Sequence, residues 1–162
     1  MSDHDKQKHL RKIINDCRTG MMVTRSATGS MHARPMANVE ISEAFDYIWF
    51  ATSRTSAKTA ELLADDRVLL TYMNSSGTEW ASINGHTRTV DDRQKIHELW
   101  SPFWKNWFTG PDDPNLILLQ VTPETAEYWD SGNKVVAMAK FALGALAGKN
   151  LLEGDNQKLS LQ

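Results

Sequence analysis

Leu10, Ile13, Ile14 and Cys17 fall at helical spacing, and Gly20 stands where that helix should stop. The pattern then changes to period two. Residues 21–26, MMVTRS, and residues 31–41, MHARPMANVEI, read as strands joined by the turn-forming ATGS, a hairpin with Gly29 in its loop. In the second strand Met31, Ala33, Pro35, Ala37, Val39 and Ile41 share one face, and His32, Arg34, Met36, Asn38 and Glu40 the other. Arg34 is thereby directed away from the more apolar face. Pro35 has no N–H to give to a ladder, so this strand is expected at a sheet edge or with a bulge.

Residues 46–53, DYIWFATS, predict a third strand that ends in the hydroxyls of SRTS before a short helix at 57–65. VLLTYM at 68–73 and ASINGHTRTV supply two more strands. Ile96, Leu99, Trp100, Phe103 and Trp107 keep helical spacing, but Ser101-Pro102 resembles an N-cap with a first-turn proline and predicts two helices or a break. TGPDDPN leads to a strand at 115–122 and on to AEYWD at 126–130. Residues 134–147 look helical and amphipathic, ending at Gly148. Six or seven strands with few long helices predict an α+β, predominantly β fold, a small, mostly antiparallel barrel flanked by helices. Residues 1–148 form its single domain and 149–162 a polar tail.

A chain of 162 residues is enough for one core, and 41% hydrophobic against 23% charged residues is the balance of a globular domain. With 18 Lys+Arg against 20 Asp+Glu the formal charge is −2, so a nucleic-acid partner held through phosphate neutralisation is not expected. Cys17 is the sole cysteine and cannot form an intrachain disulfide, which fits the cytoplasm. The charged start, MSDHDKQKHLRK, lacks the apolar segment of a leader, and no apolar run approaches the ~20 residues of a membrane span. A soluble, untargeted protein without a membrane partner is expected. The six Trp are planar surfaces, by default packed in a core and otherwise stacked on a ligand.

The chemistry concentrates in residues 50–61, FATSRTSAKTAE, where a strand runs out into hydroxyls and a helix begins near Ser56. Lys58 falls in its first turn, where a cation opposes the helix dipole at a cost of about 0.3–1 kcal/mol. A bound phosphate reverses that sign. Helix N–H groups, the hydroxyls of Thr52, Ser53, Thr55 and Ser56, and the Lys58 ammonium together suit an anion; a solvated lysine beside a serine cap suits the segment equally. Arg34 can hold a phosphate bidentately, or pair with Glu40 or Asp46 as strand arginines commonly do.

Elsewhere the sequence carries little. His4, His9, His32, His86 and His97 show no ligand spacing, so no metal is expected. Cys17 lies on the apolar stripe of the first helix and reads as an inert thiol. Asp65-Asp66, Asp91-Asp92 and Asp112-Asp113 read as caps and turns. The GxSxG, GxGxxG and P-loop patterns are absent.

Arg34-Pro35-Met36, the strand YIWFATS, SAKTAELLADDRVLLTY and W-x-S-I-x-G at 80–85 together resemble the flavin-binding split barrels related to pyridoxamine 5′-phosphate oxidase. Residues 99–130, with TGPDDPNLILLQVTPETAEYWD, are similar to the general stress protein branch. The resemblance covers about residues 10–131 and implies a six-stranded antiparallel split barrel, a homodimer with FMN at the subunit interface, FAD being left open as the alternative. By position it implies that Arg34 and Lys58 bind the FMN phosphate with Ser56 beside them, and that Pro35, Met36 and Ala37 lie along the cofactor. Phe50, Ala51 and Thr52 match the strand that borders the flavin. Trp129 matches a tryptophan that reaches the cofactor, by family analogy from the partner subunit, and Trp107 is a looser candidate for covering the ring.

Three departures bear on the reaction. The oxidase's substrate lysine is replaced by Val39, its flavin-contacting glutamine by Trp80, and its Arg-x-His segment by the DSGNKVVAMAK that follows Trp129. Pyridoxamine phosphate oxidation is therefore disfavoured. The expectation is an FMN-binding general stress protein with flavin-dependent redox activity on another substrate, in which no residue is nominated as acid or base. The alternatives are a flavin carrier or sensor without turnover, and a split barrel holding a deazaflavin or haem.

Overall fold

The structure is a computed structural model that describes residues 2–132, 138, 142, 143, 145, 146 and 155–161. Its elements run α1 (Asp3–Cys17), β1 (Thr19–Arg25), β2 (Met31–Ala37), β3 (Glu40–Ile41), β4 (Ile48–Ser53), α2 (Ala57–Ala64), β5 (Arg67–Met73), β6 (Glu79–Val90), α3 (Arg93–Leu99), a 3₁₀ turn (Pro102–Asn106), β7 (Leu116–Asp130) and β8 (Asp155–Ser160). The strands form one antiparallel sheet in the order β2-β1-β5-β6-β7-β4-β3, with β8 added against β7. Among the described residues it has eight strands where the pattern predicts six or seven and the resemblance six, but it is the α+β, predominantly β split barrel that the sequence implies.

The expected strand over 31–41 is cut in two, because its halves serve opposite edges of the sheet. β2 pairs β1 and β3 pairs β4, so Asn38 and Val39 carry the chain across the split. Asn38 is fixed there from three sides: its N–H donates to the Arg18 carbonyl at 2.8 Å, its side-chain amide to the Ile14 carbonyl at 3.2 Å, and the Tyr72 hydroxyl donates to its Oδ1 at 2.7 Å. The crossing also breaks the alternation. Ile41 is buried in the core, whereas Met31, Ala33, Pro35 and Ala37 are exposed. The more apolar face of β2 is thus its outer one, and Arg34 is aligned with core residue Met22 on the inner side. Pro35 sits, as expected, on an edge strand.

The strands expected at 115–122 and 126–130 are one bent strand. β7 pairs β6 along most of its length, β4 through Leu116 to Val121, and β8 through Thr125 to Asp130. The ladder slips where Asn84 opposes Thr125 but Gly85 opposes Pro123, leaving Glu124 as the extra residue of a bulge. Gly85 is required there, because a Cβ would stand 2.3 Å from the Thr122 carbonyl oxygen. The last strand, β8, comes from within the polar tail.

Leu10, Ile13 and Ile14 of α1 are fully buried with Phe50, Leu70, Ile83 and Tyr128 in the principal core. A second cluster, Trp49, Ile96, Trp104, Leu116 and Leu118, packs α3 and the 3₁₀ turn on the outside of β4 and β7. The break at Ser101-Pro102 falls where expected, between Leu99 and Pro102. Two tryptophans, Trp49 and Trp104, take the default core role; Trp107 is 65% exposed. The helix expected over 134–147 lies mostly outside the described residues. No helix among the described residues is long and apolar enough to cross a membrane.

Candidate functional site

β4 delivers its chain end to α2 through a cluster of hydroxyls. Ser56 Oγ accepts from the Thr59 N–H at 3.4 Å, capping the helix, and lies 2.8 Å from Thr59 Oγ1. Thr59 Oγ1 donates to the Ser53 carbonyl at 2.9 Å, and Thr52 Oγ1 is 3.5 Å from Ser56 Oγ. No acidic residue occupies the first turn. Lys58 does, and it is half-buried. Burial pushes its ammonium pKa down, and the positive charge of Arg34 pushes it further. Two cations from separate segments are therefore within reach of one another's charge in this corner of the molecule.

Arg34 reaches that corner from the inner side of β2. Its Nη1 donates to Thr24 Oγ1 at 2.5 Å and its Nη2 to Glu61 Oε2 at 3.1 Å. The Thr24 hydroxyl donates to the same Glu61 oxygen at 2.5 Å, while His32 Nδ1 is 2.6 Å from Glu61 Oε1. Thr24 is fully buried and directly opposite His32 in the hairpin. These contacts hold the Glu61 carboxyl at about 2, the Thr24 hydrogen bond foremost, then those of His32 and Arg34, against an opposing effect of burial. Arg34 thus has an acidic partner, but neither of the two expected from sequence: Glu40 is instead held by Lys95 at 3.1 Å.

The charge balance of this corner favours an anion. Glu61 offsets Arg34, whereas Lys58 has no carboxylate partner among the described residues. A guanidinium carries five N–H donors, of which Arg34 commits two here. Thr52, 4% exposed, and Ser56 add hydroxyl donors at the start of the same helix. A phosphate fits this donor set better than a second carboxylate would, because it can accept from several donors at once.

The remaining expected residues divide. Met36 packs against the principal core, the Phe50 side chain is wholly inside it, and Ala51 packs outward against the second cluster. Pro35 and Ala37 lie on the outer face of β2. Trp129 opposes Trp80 on the outer face of β6 and β7, across the sheet from Arg34. There it borders an open depression of about 530 Å³ that Met21, Pro35, Met73 and Trp80 also line. Trp107 stands edge-on to Phe103, with ring centres 5.4 Å apart, exposed just beyond the 3₁₀ turn. One chain therefore sets Thr52 beside Ser56 at the start of α2 and Lys58 within the field of Arg34, and leaves both tryptophans elsewhere.

Thr24, His32 and Glu61 were not anticipated. The signals were present: His32 shares a strand face with Arg34, Thr24 is its cross-strand neighbour in a hairpin read correctly, and Glu61 stands one helical turn beyond Lys58.

Residues 5–152 match the family described as pyridoxamine 5′-phosphate oxidase like. The chain belongs to that family. It is 30% identical over 155 residues to protein bli-3 of Neurospora crassa, covering 89% of this chain and 74% of that one. It is 25% identical over 137 residues to general stress protein 26 of Bacillus subtilis, covering 83% and 95%. Among solved structures, the general stress FMN/FAD binding protein of Xanthomonas citri superposes with a TM-score of 0.69 at 30% identity, over 82% of this chain and 93% of the other. The oxidase-like family and its general stress relatives are those the sequence resembled.

Proposed function

We propose that the chain is a flavin-binding stress protein that holds FMN by its phosphate between Lys58 and Arg34, as a homodimer with cofactor at the subunit interface. The observation that carries this reading is Lys58: a half-buried cation at a helix start, under the charge of a second cation and lacking any carboxylate partner among the described residues. A doubly charged phosphate turns both liabilities into attraction. The FMN/FAD binding of the Xanthomonas citri relative supports the choice of flavin. Ser56 and Thr52 would donate hydroxyls to the phosphate. The backbone of Phe50 and Ala51, and the Pro35, Met36 and Ala37 segment, would run along the ring.

The dimer rests on the outer face of β1, β2 and β5. Met21 and Met73, 39% and 59% exposed, line the depression that Trp129 borders, and Met31, 61% exposed, stands farther along the same face of β2. A second copy covering this apolar face would carry Trp129 of the partner subunit toward the ring, which a single chain does not do. Trp107 would cover the ring from the solvent side.

Bound flavin supplies redox chemistry, and the chain contributes position, shielding and the field of Arg34, Lys58 and Glu61. With Val39 and Trp80 in place of the oxidase's substrate and flavin contacts, the substrate is something other than pyridoxamine phosphate.

The absorption spectrum of the purified protein tests the cofactor, separating flavin from deazaflavin and haem. Binding of FMN and riboflavin to Lys58→Ala and Arg34→Ala tests the site. Each change is expected to weaken FMN by about 1.5–3 kcal/mol and riboflavin far less. Equal losses for both ligands would mean that the cations act through folding, and the phosphate assignment would fall. Faster bleaching by a nicotinamide donor than that of free FMN is the sign of an enzyme; equal rates with all donors favour a carrier.

A further inference from the structure

A second cluster of potential ligands lies outside this site. His9 of α1, Glu79 at the start of β6 and Asp130 at the end of β7 converge, with one ligand atom from each within 4.8 Å of the others. Glu79 and Asp130 are directly paired across the two strands, so two carboxylates are held side by side by the sheet itself. The helix brings His9 to them.

We propose that His9, Glu79 and Asp130 bind a divalent transition-metal ion of the zinc type, fastening α1 to the β6–β7 pair. His9 Nε2 is shielded from solvent and makes no hydrogen bond, an expensive state for a ring nitrogen. Yet it lies 3.3 Å from Asp130 Oδ2 and 3.6 Å from Glu79 Oε1. An N–H donor to a carboxylate normally closes to about 2.7–2.9 Å. Ligands at about 2.0–2.1 Å from a tetrahedral ion stand about 3.3 Å from one another, which is near the spacing found.

The outer partners are also in place. Asn74 Nδ2 donates to Glu79 Oε2 at 2.8 Å, and the Gly132 N–H donates to Asp130 Oδ1 at 2.7 Å. Each carboxylate thus has one oxygen anchored and the other turned to His9, the arrangement that orients metal ligands. The His9 ring lies against Tyr128, with ring centres 5.0 Å apart and planes tilted by 37°, which restricts its rotation. Lys12, which feels the charge of both carboxylates, makes its hydrogen bond to Asp16 at 2.9 Å. One imidazole with two carboxylates, and no thiolate, suits zinc and its neighbours better than copper(I) or magnesium. The histidine spacing could not disclose the site, because its ligands come from three distant elements.

The test uses tag-free, chelator-stripped protein titrated with zinc chloride against a chromophoric chelator. One equivalent per chain is expected, with binding at least tenfold weaker in His9→Gln and in Asp130→Asn and unchanged in His86→Gln. Saturating zinc should raise Tm in the parent protein and not in His9→Gln. Cobalt substitution of the parent protein should give the intense visible bands of a tetrahedral site, which needs no variant to fold. Absence of stoichiometric zinc uptake, full uptake by a folded His9→Gln, or uptake lost only in His86→Gln would each overturn the proposal.

Discussion

Arg34 Nη2 donates to Glu61 Oε2 at 3.1 Å, and the same oxygen accepts from Thr24 Oγ1, itself the acceptor for Arg34 Nη1. This three-membered ring, closed between β1, β2 and α2, fixes a guanidinium that would otherwise be free to swing. Arg34 keeps its remaining donors for another acceptor. Glu61 is accordingly a positioning residue, and Glu61→Ala leaves the fully buried Thr24 hydroxyl and the guanidinium without their acceptor. A loss of about 1–3 kcal/mol is expected, read by urea denaturation, and a variant as stable as the parent would show that water replaces the carboxylate.

The same contacts predict an acid-labile component of stability. The Glu61 carboxyl, ordinarily near 4.5, is held at about 2 in the folded chain. A depressed folded value contributes stability that is present above the unfolded value and lost as pH falls through the folded one. Its contribution should therefore decline between about 4.5 and about 2. Glu61→Gln should flatten the stability profile in that window and leave the slope at neutral pH unchanged.

Lys58 carries the opposite sign. Its ammonium pKa is lowered by burial and by Arg34, so the charged form is disfavoured in the folded chain and costs stability until pH rises through its folded and unfolded values. Lys58→Met should raise the Tm of the flavin-free protein at neutral pH while weakening FMN. A fall in both would mean that Lys58 is part of the fold rather than held against it for a ligand.

Gly85 marks the bulge in the β6–β7 ladder, where a Cβ would stand 2.3 Å from the backbone oxygen of Thr122 in the paired strand. Gly85→Ala is expected to destabilise by about 1–3 kcal/mol through forced backbone movement, whereas Gly110→Ala, with nothing within 4 Å, should be neutral or nearly so. Thermal unfolding of the two variants side by side checks this.

What the sequence disclosed, and what it withheld, follows from the range of the interactions. Periodicity found α1 from Leu10, Ile13 and Ile14, the hairpin around Gly29 and the break at Ser101, all of which rest on neighbours close in the chain. It ran β2 and β3 together, because the alternation continues through Asn38 and Val39 and does not say that the chain crosses there from one edge of the sheet to the other. Glu61 escaped notice since its partners arrive from β1 and β2, and β8 because a six-residue polar strand is specified by the edge of β7 rather than by its own residues. Arg34 and Lys58 were visible as two separate positions, and it is the fold that brings the charge of one to bear on the other.

Trp107 provides the remaining discrimination between ring and phosphate contacts. It is 65% exposed, in edge contact with the equally exposed Phe103, and lies outside the buried part of the second cluster. An exposed aromatic of this kind contributes little to folding, so Trp107→Ala should change stability by less than about 0.5 kcal/mol. If it covers the flavin ring, its loss should weaken FMN and riboflavin alike, by about 0.5–1.5 kcal/mol, because stacking does not depend on the phosphate. Lys58→Ala should separate the two ligands where Trp107→Ala does not. Flavin fluorescence titration of both variants reads the contrast directly, and an unchanged affinity in Trp107→Ala would remove this residue from the cofactor site while leaving the phosphate corner intact.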